Sequence, residues 1–211
     1  MDQQQLAIIQ KATSLFFRYG VRSVSMDDLS RELGISKKTL YQVIGNKDSL
    51  VHECVVFGQD AEEQLMEQVS AAAKDAIDEI FQASQYHLEQ LRNLTPTLLY
   101  DLRKYYPKSW KIIQHSTQTA HVRVIVANLK RGIAEGYYRP DMEPEVIARL
   151  FAKMQLALVE DNEAFGKFAN TTIDLHVEAF RYHLRGICTP AGLERWQEYQ
   201  AKHQLNSTPT I

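Results

Sequence analysis

The stretch SMDDLSRELGISKKTLYQVIGNKDSL, residues 25–50, decides how this chain is read. Ser25 has an acid three residues on, Asp28, the spacing of a capping box, and opens a short helix that turns Met26, Leu29 and Leu33 inward. Gly34 stops that helix, Ile35 fills the turn, and Ser36 caps a second helix of about eight residues that Gly45 closes. Asn46 caps a further helix with Asp48 in its first turn. Two short helices joined by a tight glycine turn have the dimensions of a helix-turn-helix, whose second helix enters the major groove of DNA.

The charges sharpen this pattern. A helix N-terminus carries partial positive charge and favours acids, yet Lys37 and Lys38 fall in the first turn of one helix and Lys47 in that of the next. Each placement costs about 0.3–1 kcal/mol in the free protein. A single such lysine is most simply a solvated surface charge, but three so close together point to an anion, and DNA phosphate is the natural one.

Upstream, Leu6, Ile9, Ala12, Leu15 and Phe16 recur with helical period, predicting a helix from Gln4 to Tyr19 with Gly20 as its left-handed stop. Downstream the period stays helical. Helices are expected over Leu50–Ser70, Ala72–Leu94, Thr97–Tyr105 and, as one long element, Pro107–Glu135. Gly136 stops the last of these, Tyr137 to Asp141 reads as a loop, Pro144–Glu160 as a helix, Asp161–Asn170 as a connection and Thr172–Arg185 as a helix. Thr189-Pro190-Ala191-Gly192 is expected to end the packed body, with a turn or two of helix around Trp196 and a loose tail over Asn206–Ile211. Val122–Val126 is the only β-branched run, and it sits inside a helical pattern. The expected class is all-α, with a three-helix DNA-binding domain over 1–50, a larger helical domain over 51–190 and a tail over 191–211.

Residues 5–55 closely resemble the tetracycline-repressor (TetR) family. The resemblance lies in Ile9, Ala12, Leu15, Phe16 and Gly20, in the run from Ser25 through Leu33-Gly34-Ile35-Ser36 to Leu40-Tyr41, and in Asn46-Lys47-Asp48 with Leu50. Ile44 departs from it, many members having Phe, which keeps the site apolar. The resemblance implies a homodimer whose recognition helices meet successive major grooves of a palindromic or near-palindromic operator. It implies that Lys37, Lys38, Thr39, Gln42 and Val43, behind the cap residue Ser36, face base edges or nearby backbone, and that Ser25, Tyr41 and Lys47 hold phosphates. Lys donates to guanine, Gln42 can pair with adenine, and the Thr39 or Val43 methyls can touch thymine. It implies repression as the usual outcome, and a divergent C-terminal domain that dimerises and often holds an inducing ligand.

Gly136 to Asp141 followed by Pro144-Glu145 is similar to a loop and helix start seen in many members, so Pro144–Glu160 is placed where the family builds its dimer interface. Val146, Ile147, Leu150, Phe151, Met154 and Leu158 cover a broad face of it, and Phe180, Leu184 and Ile187 a narrower one on the last packed helix. The alternative is that these stripes are internal core. For a small organic ligand the middle helices offer Tyr86, Tyr100, Tyr105, Trp110, His115 and His121, although ten tyrosines in a helical chain are usually amphipathic filler.

Net charge is −2 from 24 basic and 26 acidic side chains, so no overall field points to nucleic acid or membrane. Residues 1–50 are mildly basic and the remainder acidic. Cys54 and Cys188 make neither a disulfide framework nor a metal spacing, and suit a reducing cytoplasm. His115 and His121 lack the spacing of a two-ligand helix face, His87, His176 and His183 read as isolated, and no metal or other cofactor is expected. No leader or membrane span is expected. Catalysis is not expected either, since neither a Gly-rich phosphate loop nor a nucleophile in a recognisable setting occurs. A helix-turn-helix acting through protein contacts or chromosome organisation, with no inducer, stays open beside the ligand-responsive regulator.

Overall fold

The computed structural model describes residues 2–93, 95–160 and 172–203, which form eleven helices. In chain order these are α1 (Gln3–Tyr19), α2 (Met26–Leu33), α3 (Lys37–Ile44), α4 (Lys47–Ala72), α5 (Ala76–Asn93), α6 (Pro96–Tyr105), α7 (Pro107–Gln118), α8 (Ala120–Ala134), α9 (Pro144–Glu160), α10 (Thr172–Ile187) and α11 (Pro190–Lys202). No strand occurs among the described residues; Tyr138 and Cys188 make an isolated bridge. None of these helices is long and apolar enough to cross a membrane. The expected Asp161–Asn170 connection and Asn206–Ile211 tail lie outside the described residues.

The chain divides into two compact units, one of residues Met1–Glu62 and Asn93–His115, the other of Glu63–Arg92 and Ser116–Ile211. In the first, α1 packs against α2, α3 and α6. Its apolar stripe buries Ile8, Ile9, Ala12 and Phe16, and Leu29, Leu40 and Leu50 are buried in the same unit. Gly20 ends α1 at φ +81°, and a Cβ there would stand 2.8 Å from the Thr97 hydroxyl, so this position needs glycine for both conformation and space. That second contact comes from α6, a distant segment that the local pattern around Gly20 does not reveal.

In the second unit α8, α9 and α10 pack together around Phe81, Leu129, Tyr138, Leu184 and Trp196. The loop after α8 is pinned by Tyr138, whose buried hydroxyl donates to Asn128 Oδ1 at 2.9 Å. The Tyr138 ring lies over Gly132, where a Cβ would come within 2.1 Å of it. Arg139 and Thr189 then donate their backbone N–H groups to Ile187 and Tyr137, tying the loop to the end of α10.

Two expectations are corrected. The single helix expected over 107–135 is broken at Thr119, whose φ and ψ of −121° and −77° leave the helical region. Its N–H bonds back to Ser116 rather than continuing the i→i−4 ladder, and the break falls close to the passage from one unit to the other. The packed body also continues past 191. Thr189 caps α11 by accepting from the Gly192 N–H at 3.2 Å, and Trp196 is wholly buried, meeting Phe81 edge-on at 5.2 Å. Arg195 is anchored to Asp75 at 2.8 Å. Truncating a buried Trp costs about 3–5 kcal/mol, so residues 190–202 belong to the core of this unit.

Candidate nucleic-acid interface

The first unit presents α2 and α3 with both N-termini fixed by side chains. Ser25 Oγ accepts from the Asp28 N–H at 3.1 Å while Asp28 Oδ2 accepts from the Ser25 N–H at 2.9 Å, a complete capping box. The Ser25 contacts and Arg31 hold the Asp28 carboxyl down at about 2. Gly34 takes the left-handed conformation at φ +65°, which lets the Ile35 N–H bond to Ser30 at 3.0 Å and turns the chain into α3. Ser36 then accepts from the Thr39 N–H at 3.0 Å.

With its N-terminus held, α3 buries Leu40 and Ile44 and turns its remaining surface outward. Lys37, Lys38, Tyr41 and Gln42 are exposed, with Thr39 and Val43 half-buried at the margin. A short rigid helix with an apolar back and a front of amine, amide, phenol and methyl groups offers the donors and contacts that base edges in the major groove accept. Lys37 is paired with Asp27 of α2, so its charge at the helix N-terminus is offset within the protein. Lys38 has no such ion pair among the described residues.

Lys47 begins α4 behind Asn46, whose Oδ1 accepts from the Ser49 N–H at 2.9 Å. It is half-buried, and burial lowers its pKa, opposed first by the charge of Asp101. A lysine at once desolvated and set beside Arg22 is placed to meet an anion.

Sequence reasoning missed Arg22 and Asp101. Asp101, buried on α6, accepts the Arg22 backbone N–H at 3.1 Å, and the Arg22 guanidinium lies over the Tyr105 ring at 4.3 Å while donating to its hydroxyl at 3.0 Å. An Arg and an Asp 79 residues apart carry no local signal.

The six residues expected to meet a ligand divide between the units: Tyr100, Tyr105, Trp110 and His115 belong to the first, Tyr86 and His121 to the second. Tyr100 and Tyr105 are exposed and engage cations, Tyr100 accepting from Lys104 at 2.6 Å, while Trp110 is buried core. On the second unit Val146 is 52% and Leu150 63% exposed on α9, and Tyr182, which the stripes did not include, is 77% exposed on α10. Ile147 and Phe151 are partly buried against the core, and Met154 is half-buried. Leu158, Phe180, Leu184 and Ile187 are buried within the subunit, so these four are internal core rather than interface. The reading of isolated histidines is also corrected: His87 and His176 meet ring to ring at 5.4 Å. No group of three or more candidate metal ligands occurs among the described residues.

Residues 8–54 match the model of bacterial regulatory proteins of the tetR family. The HTH-type transcriptional regulator YhgD of Bacillus subtilis, itself uncharacterised, is 24% identical over 177 residues, covering 77% of this chain and 85% of that protein. A TetR-family regulator from Agrobacterium tumefaciens superposes with a TM-score of 0.66 at 18% identity, covering 88% of this chain and 98% of that one. A Saccharomonospora viridis regulator solved in complex with choline superposes with a TM-score of 0.69 at 15% identity, covering 90% and 100%.

Proposed function

We propose that this chain, whose residues 8–54 match the tetR family of bacterial regulatory proteins, is a member of that family and acts as a homodimeric, sequence-specific repressor that a small organic ligand releases from its operator. The observation that carries this reading is α3 itself: a helix whose N-terminus is held by Ser36, with Leu40 and Ile44 buried and an outward face of Lys37, Lys38, Tyr41 and Gln42. In the bound state Gln42, Lys38, Thr39 and Val43 read base edges in the major groove, with Ser36 holding the start of the helix. Lys37 exchanges Asp27 for DNA, and Ser25, Tyr41 and Lys47 hold phosphates that set the register.

Two copies joined through α9 and α10, with Val146, Leu150 and Tyr182 in the contact, present two such helices to successive grooves of a near-palindromic site. The protein acts in the cytoplasm. The second unit, whose fold is shared with a regulator that holds choline, takes the ligand; Tyr86 and His121 are its candidate contacts there.

Selection of bound sequences from random duplex DNA tests the reading. One palindromic family should emerge, bound about a thousandfold above random DNA at fixed salt. Gln42→Ala should change the preferred base at one position of each half-site. Uniform affinity for all sequences, with no effect of Gln42→Ala on preference, would reject a specific regulator.

A further inference from the structure

Within the first unit, the end of α6 gathers cations beside the start of α4. Arg22, in the connection between α1 and α2, is exposed; its guanidinium lies over the Tyr105 ring at 4.3 Å, and Nη1 donates to the Tyr105 hydroxyl at 3.0 Å. Its backbone is held as well, the N–H donating to Oδ2 of the buried Asp101 at 3.1 Å. Lys104 Nζ stands 5.4 Å from the centre of the same ring. Lys47 feels the charge of Arg22, and is offset by Asp101, Asp28 and Asp48. Arg22 itself makes no ion pair among the described residues, so the other N–H groups of its guanidinium face no carboxylate there.

We propose that Arg22 is a further contact to the DNA backbone, with Tyr105 of α6 the platform that aims its guanidinium at a phosphate near the one Lys47 holds. The inference rests on the reading that the first unit binds DNA. A planar guanidinium matches phosphate because it donates two parallel N–H groups, and stacking on an aromatic face leaves the edge of that fork free. An arginine already stacked and hydrogen-bonded loses less freedom on binding than a solvated one. The surface is open, Tyr105 being 41% exposed, and it belongs to the same unit as α3. An open cationic surface suits a polyanion held at many points, whereas a small anion needs enclosure.

The test uses the full chain and a random-sequence DNA duplex, with affinity followed by fluorescence anisotropy from about 50 to 200 mM salt. The slope of log affinity against log salt counts the phosphates neutralised. Arg22→Gln keeps the backbone N–H that Asp101 holds and an amide for the Tyr105 hydroxyl; it should lower that slope by about one unit per protomer, and Arg22→Lys should restore it. Tyr105→Leu keeps the charge and removes the platform, and should weaken binding by about twofold to fivefold with the slope unchanged. A slope unmoved by Arg22→Gln overturns the proposal whatever the loss of affinity, and leaves Arg22 as a tie between α6 and the α1–α2 connection. Full affinity in Tyr105→Leu overturns the part given to Tyr105. Lys47→Ala measured alongside separates this inference from the reading beneath it. A slope that falls in Lys47→Ala but not in Arg22→Gln rejects the Arg22 contact and leaves DNA binding standing; a slope that moves in neither, or binding by the parent chain that ignores salt, rejects both.

Discussion

Lys47 shows how much one side chain gains from its surroundings. Its place in the first turn of α4 was legible from sequence, but its half-burial beside Arg22 and Asp101 was not, because those neighbours come from the α1–α2 connection and from α6. A flexible, solvated lysine holds a phosphate weakly, whereas one already immobilised loses less freedom on binding. Lys47→Ala should weaken binding to all DNA sequences about equally. It should also reduce the slope of log affinity against log salt by about one unit per protomer. Binding measured from 50 to 200 mM salt checks this, and an unchanged slope would place Lys47 away from the backbone. Gly20 makes the complementary point: the glycine is visible in the sequence, but the Thr97 hydroxyl that crowds it is a long-range fact, whereas the Tyr138 ring over Gly132 comes from only six residues on.

Among the elements, α2 and α3 were read nearly to the residue, because their boundaries are set by local chemistry: Ser25 with Asp28, Gly34, Ser36 and Gly45 act within four residues of themselves. The break between α7 and α8 was not readable, since Thr119 is neither Gly nor Pro and no breaker stands beside it, although its backbone leaves helical geometry. The α10 stripe was seen but assigned to the wrong surroundings: periodicity reports which face is apolar, not whether a neighbour or a second copy covers it. The Lys37–Asp27 pair joins α2 to α3 and, under the proposed function, occupies the charge that DNA would take. Asp27→Ala should therefore tighten DNA binding, by about twofold to tenfold at low salt, with the gain fading as salt rises. A fluorescence-anisotropy titration of operator DNA reads this directly, and a loss of affinity would mean that the pair orients Lys37 rather than occupying it.

For the molecule as a whole, the exposed and buried members of the α9 and α10 stripes predict opposite outcomes. Leu150→Glu should leave the chain folded and turn a dimer into a monomer in analytical ultracentrifugation, whereas Leu184→Glu, at a fully buried position, should unfold it. A dimer that persists in Leu150→Glu places the interface elsewhere. Acid should reveal the buried imidazoles. Unfolded histidines titrate near 6.5, while His176 and His183 are held at about 3 and about 4, so below pH 6.5 the unfolded chain takes up protons that the folded chain refuses. Stability is thus complete above pH 6.5 and falls as pH drops towards 3. Thermal melts of a His176→Phe, His183→Phe double variant should be flatter between pH 6.5 and about 4.5 than those of the parent chain. One further consequence comes from the cysteines. Cys54 lies in the first unit and Cys188 in the second, each thiol pushed up to about 12 by burial. At neutral pH only about one in a hundred thousand of either is thiolate, so an alkylating reagent reacts when a unit opens and hardly otherwise. The chain thus carries two internal timers, one per unit, readable by mass spectrometry from a single pulse of reagent. Operator DNA should slow the one at Cys54.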